Sequence, residues 1–204
     1  MERLKVHGRE RIGCSSENFL QPGQSIVTLA HLFKQYLGTS LKTTLERLPS
    51  DKKRIAYLAE ATTDITGLKA FPQYLTILFE IDSLILNDDR HLNNIAVIEQ
   101  KGTFDYCPIF DQGAGLLSNT QISRMDIAPR ALASALRARP FNTTFNRQVK
   151  AIQGLYGQQL HIQRFTSNEL IEMLQPLLLY YPSRDRGIIT ERVCETVLSR
   201  QKLF

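Results

Sequence analysis

From Ile26 the apolar positions fall at helical spacing. Ile26, Leu29, Leu32, Phe33 and Leu37 line one face of IVTLAHLFKQYLG, and Gly38 stands where a left-handed C-terminal residue is wanted. Ser40 is placed to cap LKTTLERL, and Ser50 or Asp51 to cap DKKRIAYLAEATTDIT. Pro72 suits the first turn of a further helix, QYLTILFEIDSLIL, whose apolar residues occupy nearly all faces. A helix of that kind belongs at the centre of a core. It stops at 86-LNDDRHLNN-94, where polar and charged residues crowd into a few positions.

The period then changes. NIAVIEQ and TFDYCPIFD are short β-rich runs separated around Lys101-Gly102, which predicts a hairpin. From Ser118 the pattern is helical again, in PRALASALRA, FNRQVKAIQGLYG, NELIEMLQPLLLY and IITERVCETVLSRQKLF, with Asn168 as an N-cap and Pro182 separating the last two. Before Ile26, the turn residues Gly8, Gly13 and Pro22-Gly23 around KVHGRERIG predict one or two short strands. The expected fold is mainly α with a small central β-hairpin. Residues 27–204 form the helical body, and residues 1–26 a linker or the remnant of another lobe.

Composition narrows the class. A chain of 204 residues with 43% hydrophobic and 22% charged residues can bury a proper core, as ordinary globular domains do. No apolar run reaches about 18 residues, so no membrane contact is expected. MERLKVHGRERIG lacks the apolar core of a signal peptide. Cys14, Cys107 and Cys194 are odd in number and far apart, which argues against a disulfide framework or a zinc site and for the cytoplasm. Charge is uneven: residues 119–204 carry 12 Lys/Arg against 6 Asp/Glu, and residues 1–118 carry 13 against 14. A basic second half steers towards anions, nucleic acid being the weaker candidate; a solvated arginine-rich helical surface gives the same count.

The chemistry concentrates between residues 87 and 115. A strand that leaves Asn94, turns at Gly102 and returns to Phe110-Asp111 brings Asn94 and Asp111 to one mouth, with a bulge near Pro108 absorbing the extra residues. Asp89 lies in the loop feeding that hairpin. Two oxygen donors, Asn94 and Asp111, suit a hard cation such as Mg²⁺, which takes few ligands from protein and the rest from water and phosphate. Asp89, left free, is then placed to accept a proton from an attacking hydroxyl. His91 sits between base and ligand, where its ring could bond backbone carbonyls and hold the loop. A polar loop at a helix end with no chemistry remains the alternative.

Asp89-Arg90-His91-Leu92-Asn93-Asn94 resembles the D-R-H-x-x-N catalytic loop of phosphatidylinositol kinases, and its D-x-H-x-x-N subset that of the HipA-like protein kinases. FDQG, ending the hairpin, is similar to the metal-binding DFG of kinases. RARPFNTTFNRQ (137–148) and GCSSENFL (13–20) resemble flanking stretches of HipA-like C-terminal domains, which favours that family. The resemblance touches about residues 13–150 and is specific over 87–115. It implies a protein-kinase-like C-terminal lobe with ATP and Mg²⁺ as cofactors, Asp89 as catalytic base, Asn94 and Asp111 as metal ligands, and His91 as loop organiser. Asp88 and Asn93 match less well. It also implies transfer to a protein Ser/Thr hydroxyl, and an antitoxin-type protein as a partner.

A complete kinase also needs a phosphate-covering loop and a lysine over the nucleotide. No G-x-G-x-x-G or Walker loop occurs, and Lys5 is the nearest lysine in a strand context. The expectation is therefore a C-terminal lobe with its N-terminal lobe largely absent, weak or inactive alone, with a separate N-lobe as a partner. The helix IVTLAHLFKQYL and the hairpin are the surfaces such a lobe would cover. A catalytically silent regulatory or nucleic-acid-binding module is the second reading. A lipid-kinase-like phosphotransferase is the third, weakened because residues 116–130 hold only Arg124 and Arg130.

Overall fold

A computed structural model covers residues 1–204, and its eight α-helices and two small antiparallel sheets make it a mainly helical mixed fold. The first sheet pairs β1 (Glu2–Val6) with β2 (Arg9–Gly13), Glu2 opposite Gly13 and Val6 opposite Arg9, and is almost wholly exposed. The second is three-stranded, in the order β3-β4-β5, with β3 at Ser25–Thr28, β4 at Ala96–Gln100 and β5 at Thr103–Tyr106.

The third strand departs from the sequence reading. Ile26 was expected on a helix face; instead Ile26 and Val27 pair with Ile98 and Val97. Three β-branched residues in a row, Ile26-Val27-Thr28, fit a pleated strand better than a helical turn. Thr28 then caps α1 (Leu29–Leu37), its hydroxyl accepting from His31 N at 3.3 Å. Leu29, Leu32 and Phe33 are buried as the periodicity predicts, but Leu37 is exposed, and Gly38 closes the helix in the left-handed region.

Ser40 and Ser50 cap α2 (Leu41–Arg47) and α3 (Asp51–Thr66) as expected, each hydroxyl accepting a backbone N–H from three residues on. The central helix α4 (Phe71–Ile85) packs against α3, α6 (Phe145–Tyr156) and α8 (Ser183–Arg200). Phe71, Leu75, Leu78 and Phe79 are fully buried, each worth roughly 1.5–3 kcal/mol of transfer free energy. Phe79 meets Phe141 edge-on at 5.9 Å between ring centroids. The expectation of an apolar helix conceals two carboxylates, Glu80 and Asp82, both buried.

The β4–β5 hairpin turns at Lys101 (φ 51°) and Gly102 (φ 80°), a two-residue turn whose positive dihedrals match the twist of the strands. Its arms are shorter than predicted: β4 starts at Ala96, and β5 ends at Tyr106, before Pro108 removes a donor. No bulge is needed, because residues 107–111 return as irregular chain.

The remaining helices are α5 (Pro129–Ala135), α6, α7 (Ser167–Leu178) and α8. The cap of α7 is Thr166 rather than Asn168. Thr166 and Glu169 form a reciprocal capping box, and T-x-x-E is the pattern that announces one. Helix α8 starts at Ser183, directly after Pro182, a turn earlier than its apolar pattern suggests. No helix is long and apolar enough to cross a membrane.

Candidate functional site

The loop leaving α4 is organised by a buried arginine. Arg90 is fully buried, and its Nε and Nη2 donate to the two oxygens of Asp82 at 2.8 and 3.0 Å. Asn87 Nδ2 also donates to Asp82 Oδ1 at 2.8 Å, and Asn87 Oδ1 accepts from Asp89 N at 3.4 Å. Burial pushes the Asp82 carboxyl up, while the guanidinium of Arg90 and then the amide of Asn87 act against it. The pair is fork-on-carboxylate, the geometry that offsets desolvation best.

The same guanidinium sets the mouth. Arg90 Nη1 donates to the carbonyl of Asn94 and to that of Phe110, both at 2.7 Å. The start of the outgoing arm and the end of the return are thereby pinned to one nitrogen, which puts the backbones of Asn94 and Asp111 side by side. Asn94 Nδ2 donates to the Asp89 carbonyl at 3.0 Å, closing the loop between them. The Asn94 Oδ1 receives no hydrogen bond from the protein, and Asp111 is exposed and unpaired, its φ of 58° one that aspartate tolerates.

Asp89 is exposed and pairs with no Lys or Arg; the His91 ring is beside it, its Nε2 4.0 Å from Oδ2. The expectation for His91 is corrected here: its half-exposed ring bonds no backbone carbonyl. A ring so exposed has water for its partners. The bracing falls to Arg90 and Asn87. Asp88 is half-buried, and burial raises its carboxyl; the neighbouring Asp89 adds to this, and Arg139 lowers it.

Beyond Asp111 the chain is tied back to the body. Leu116 N donates to Ile85 O at 2.5 Å, and Leu116 and Leu117 both have φ near 58–59°. A Cβ at Gly115 would lie 2.8 Å from Ile85 Cδ1 and 3.1 Å from the Gln112 carbonyl, so the end of the Ile85 side chain would have to move to admit one. Arg192 of α8, itself buried, donates to the carbonyls of Leu117, Ser123 and Arg124 at 3.0, 2.8 and 2.6 Å. Left-handed conformations at three non-glycine residues within seven positions are costly, and such strain clusters at functional segments.

No three His, Cys, Asp or Glu side chains gather at metal-binding geometry. The amide oxygen of Asn94 and the carboxylate of Asp111 have no partner in the protein, and hard oxygens of this kind are what Mg²⁺ takes. Comparison with protein-family models, curated proteins and solved structures finds no match to this chain. The reading of the site rests on its residues and their geometry.

Sequence reasoning missed Asp82 and the structural role of Arg90, and it missed Arg192. Asp82 carried a signal: a carboxylate in an apolar helix, eight residues before an arginine, needs a buried partner. Arg192 carried none, since its contacts lie about 70 residues away.

Proposed function

We propose that the chain is a HipA-like kinase C-terminal lobe that takes part in ATP- and Mg²⁺-dependent phosphotransfer to a protein Ser/Thr hydroxyl. One observation supports the reading: Arg90 holds the carbonyls of Asn94 and Phe110 on one nitrogen, which draws the backbone of Asn94 close to the residue before Asp111, in kinase order after Asp89. Asp89 accepts the proton of the acceptor hydroxyl, whose oxygen then bonds the γ-phosphorus as the bond to the β–γ bridging oxygen breaks and ADP leaves. Asn94 and Asp111 are the residues that would hold a Mg²⁺ ion, and the ion would neutralise charge on the phosphates.

A nucleotide-covering part, of this polypeptide or of a partner, would complete the site. Lys5 lies on β1, in a sheet that shares no strand with the β3-β4-β5 sheet of the site. That observation also favours the second reading, a catalytically silent module. Surfaces for a covering lobe are at hand: Ile26, Tyr36 and Leu37 are exposed beside the three-stranded sheet, and Leu4, Val6 and Ile12 are exposed on the first.

Thermal melting with ATP and Mg²⁺ tests the reading. Saturating Mg²⁺–ATP should raise Tm by roughly 5–10 °C, Asp111→Ala should abolish the shift, and Asp89→Asn should keep it. Phosphotransfer by the chain alone stays below about 1 s⁻¹ and is lost in Asp89→Asn. No shift with Mg²⁺–ATP, or a shift untouched by Asp111→Ala, overturns the proposal.

A further inference from the structure

A cleft of about 640 Å³ opens beside the Asp89 loop, and neither Asn94 nor Asp111 lines it. One wall is His91-Leu92-Asn93; the opposite wall is Arg139-Pro140-Phe141-Asn142. That volume lies within the roughly 300–1,000 Å³ of ligand-binding clefts. Its lining mixes apolar side chains, Leu45, Leu92 and Phe141 among them, with the carboxamides of Asn93 and Asn142 and with charged Lys42, Glu46, Arg54 and Arg139. Apolar side chains and amides together suit an extended polypeptide, whose backbone needs donors and acceptors and whose side chains need a surface to lie on.

The second wall is rigid. Ala138 and Thr143 exchange backbone hydrogen bonds at 2.7 and 3.3 Å, pinching residues 139–142 into a tight loop. Phe141 anchors the loop in the core against Phe79, and Gln148 Nε2 donates to the Arg139 carbonyl at 3.1 Å. The backbone is therefore fixed while the Arg139 side chain stays exposed.

Charge in the cleft is asymmetric. Arg54 is committed to the carbonyls of Leu45 and Leu48 and to Asp51, and Lys42 lies 3.9 Å from Glu46. The Arg139 guanidinium has no ion pair or hydrogen bond of its own, and it is near enough for its charge to act on Asp88. An unpaired guanidinium on a pinned backbone, lining the same cleft as His91 of the Asp89 loop, is free to pair with an anion delivered to it.

We propose that this cleft is the acceptor-binding site and that Arg139 selects polypeptide segments carrying an anionic side chain, carboxylate or phosphate, close to the acceptor hydroxyl. The proposal rests on the phosphotransfer reading for the word acceptor, but the recognition itself needs no nucleotide. Arg139 is a specificity-determining residue. It takes no part in the proton or phosphoryl step.

Fluorescence polarisation with the full chain and an array of serine-centred peptides tests it, each flanking position being Glu, phosphoserine, Gln or Lys in turn. At least one acidic position should bind about tenfold tighter than its Gln counterpart, and the preference should fade between roughly 0.05 and 0.5 M salt. Arg139→Gln should erase that preference without changing the Tm shift with Mg²⁺–ATP, and Arg130→Gln, at an exposed cation outside the cleft lining, should leave it intact. Tighter binding of phosphoserine than of Glu assigns phosphate as the anion; the reverse assigns carboxylate. Equal binding of Glu, phosphoserine and Gln peptides, no binding of any, or a preference that survives Arg139→Gln overturns the proposal. Charge-selective binding through Arg139 with no Mg²⁺–ATP shift keeps the cleft and removes the phosphotransfer reading, so the two fail separately.

Discussion

Replacing Arg90 by Met should separate the stability of the chain from the geometry of its mouth. The substitution conserves much of the volume but strips four donations: two to Asp82 and one each to the carbonyls of Asn94 and Phe110. Removing one partner of a buried ion pair costs about 3–5 kcal/mol, because the other charge stays buried without compensation. Each freed carbonyl adds roughly 1–3 kcal/mol unless water reaches it. Against a total stability of about 5–15 kcal/mol, the expected loss of ~4 kcal/mol or more leaves the variant marginal or unfolded. In urea, at an m-value of about 2 kcal/mol/M, the midpoint should fall by roughly 2 M.

The double variant Asp82→Leu/Arg90→Met supplies the control. With both charges gone, no ion remains buried, and replacing such a pair by apolar residues is often neutral or better. It should recover ~2 kcal/mol or more relative to Arg90→Met, the remainder being the freed carbonyls and the Asn87 amide left without its acceptor. Yet the two arms are still unpinned, so the refolded double variant should show little or no Tm shift with Mg²⁺–ATP. Urea denaturation followed by circular dichroism reads the first effect, and thermal melting with ligand reads the second. A loss below about 1 kcal/mol in Arg90→Met, or a double variant no better than the single, would refute the account of Arg90 as the hub.

Two further outcomes are expected. Arg192→Met should cost about 1–3 kcal/mol and speed tryptic cleavage at Arg124, because three carbonyls between Leu117 and Arg124 lose their donor; unchanged cleavage would show that the segment is held by other contacts. At pH 8 a disulfide-exchange reagent should titrate one thiol of the native chain and three after denaturation. Cys14 is exposed, whereas Cys107 and Cys194 are buried, and burial pushes the Cys107 thiol up to about 11. Two fast native thiols would contradict the packing around Cys107.

Local pattern carried much of this fold. The caps Ser40 and Ser50, the end of α1 at Gly38 and the turn at Lys101-Gly102 are decisions made within a few residues, and each is legible in the sequence. Strand β3 was not, because Ile26-Val27 joins a sheet whose partner strand lies about 70 residues on, and apolar spacing alone favoured a helix. His91 and Arg90 show the same limit at the site. Sequence suggested that the histidine braces the loop, but a ring near the surface can satisfy itself with water, whereas a buried guanidinium must find acceptors for its donors. The burden of order passes to the residue with no access to water.

That rule has a consequence for how the site survives. Asp89, His91 and Asp111 are exposed and make few contacts, so their positions depend on groups behind them. Asp82 fixes Arg90, Arg90 fixes the backbones at Asn94 and Phe110, and Asn87 and Asn94 fix the backbone at Asp89. Apart from the side-chain contacts of Asp82 with Arg90 and Asn87, these links end on main chain rather than on a reactive carboxylate. Substitutions at Asp89 or Asp111 should therefore leave stability within about 0.5 kcal/mol while removing any activity, and substitutions at Asp82 or Arg90 should do both. A site arranged the other way, with its reactive carboxylates in the buried network, would lose fold and function together at every position.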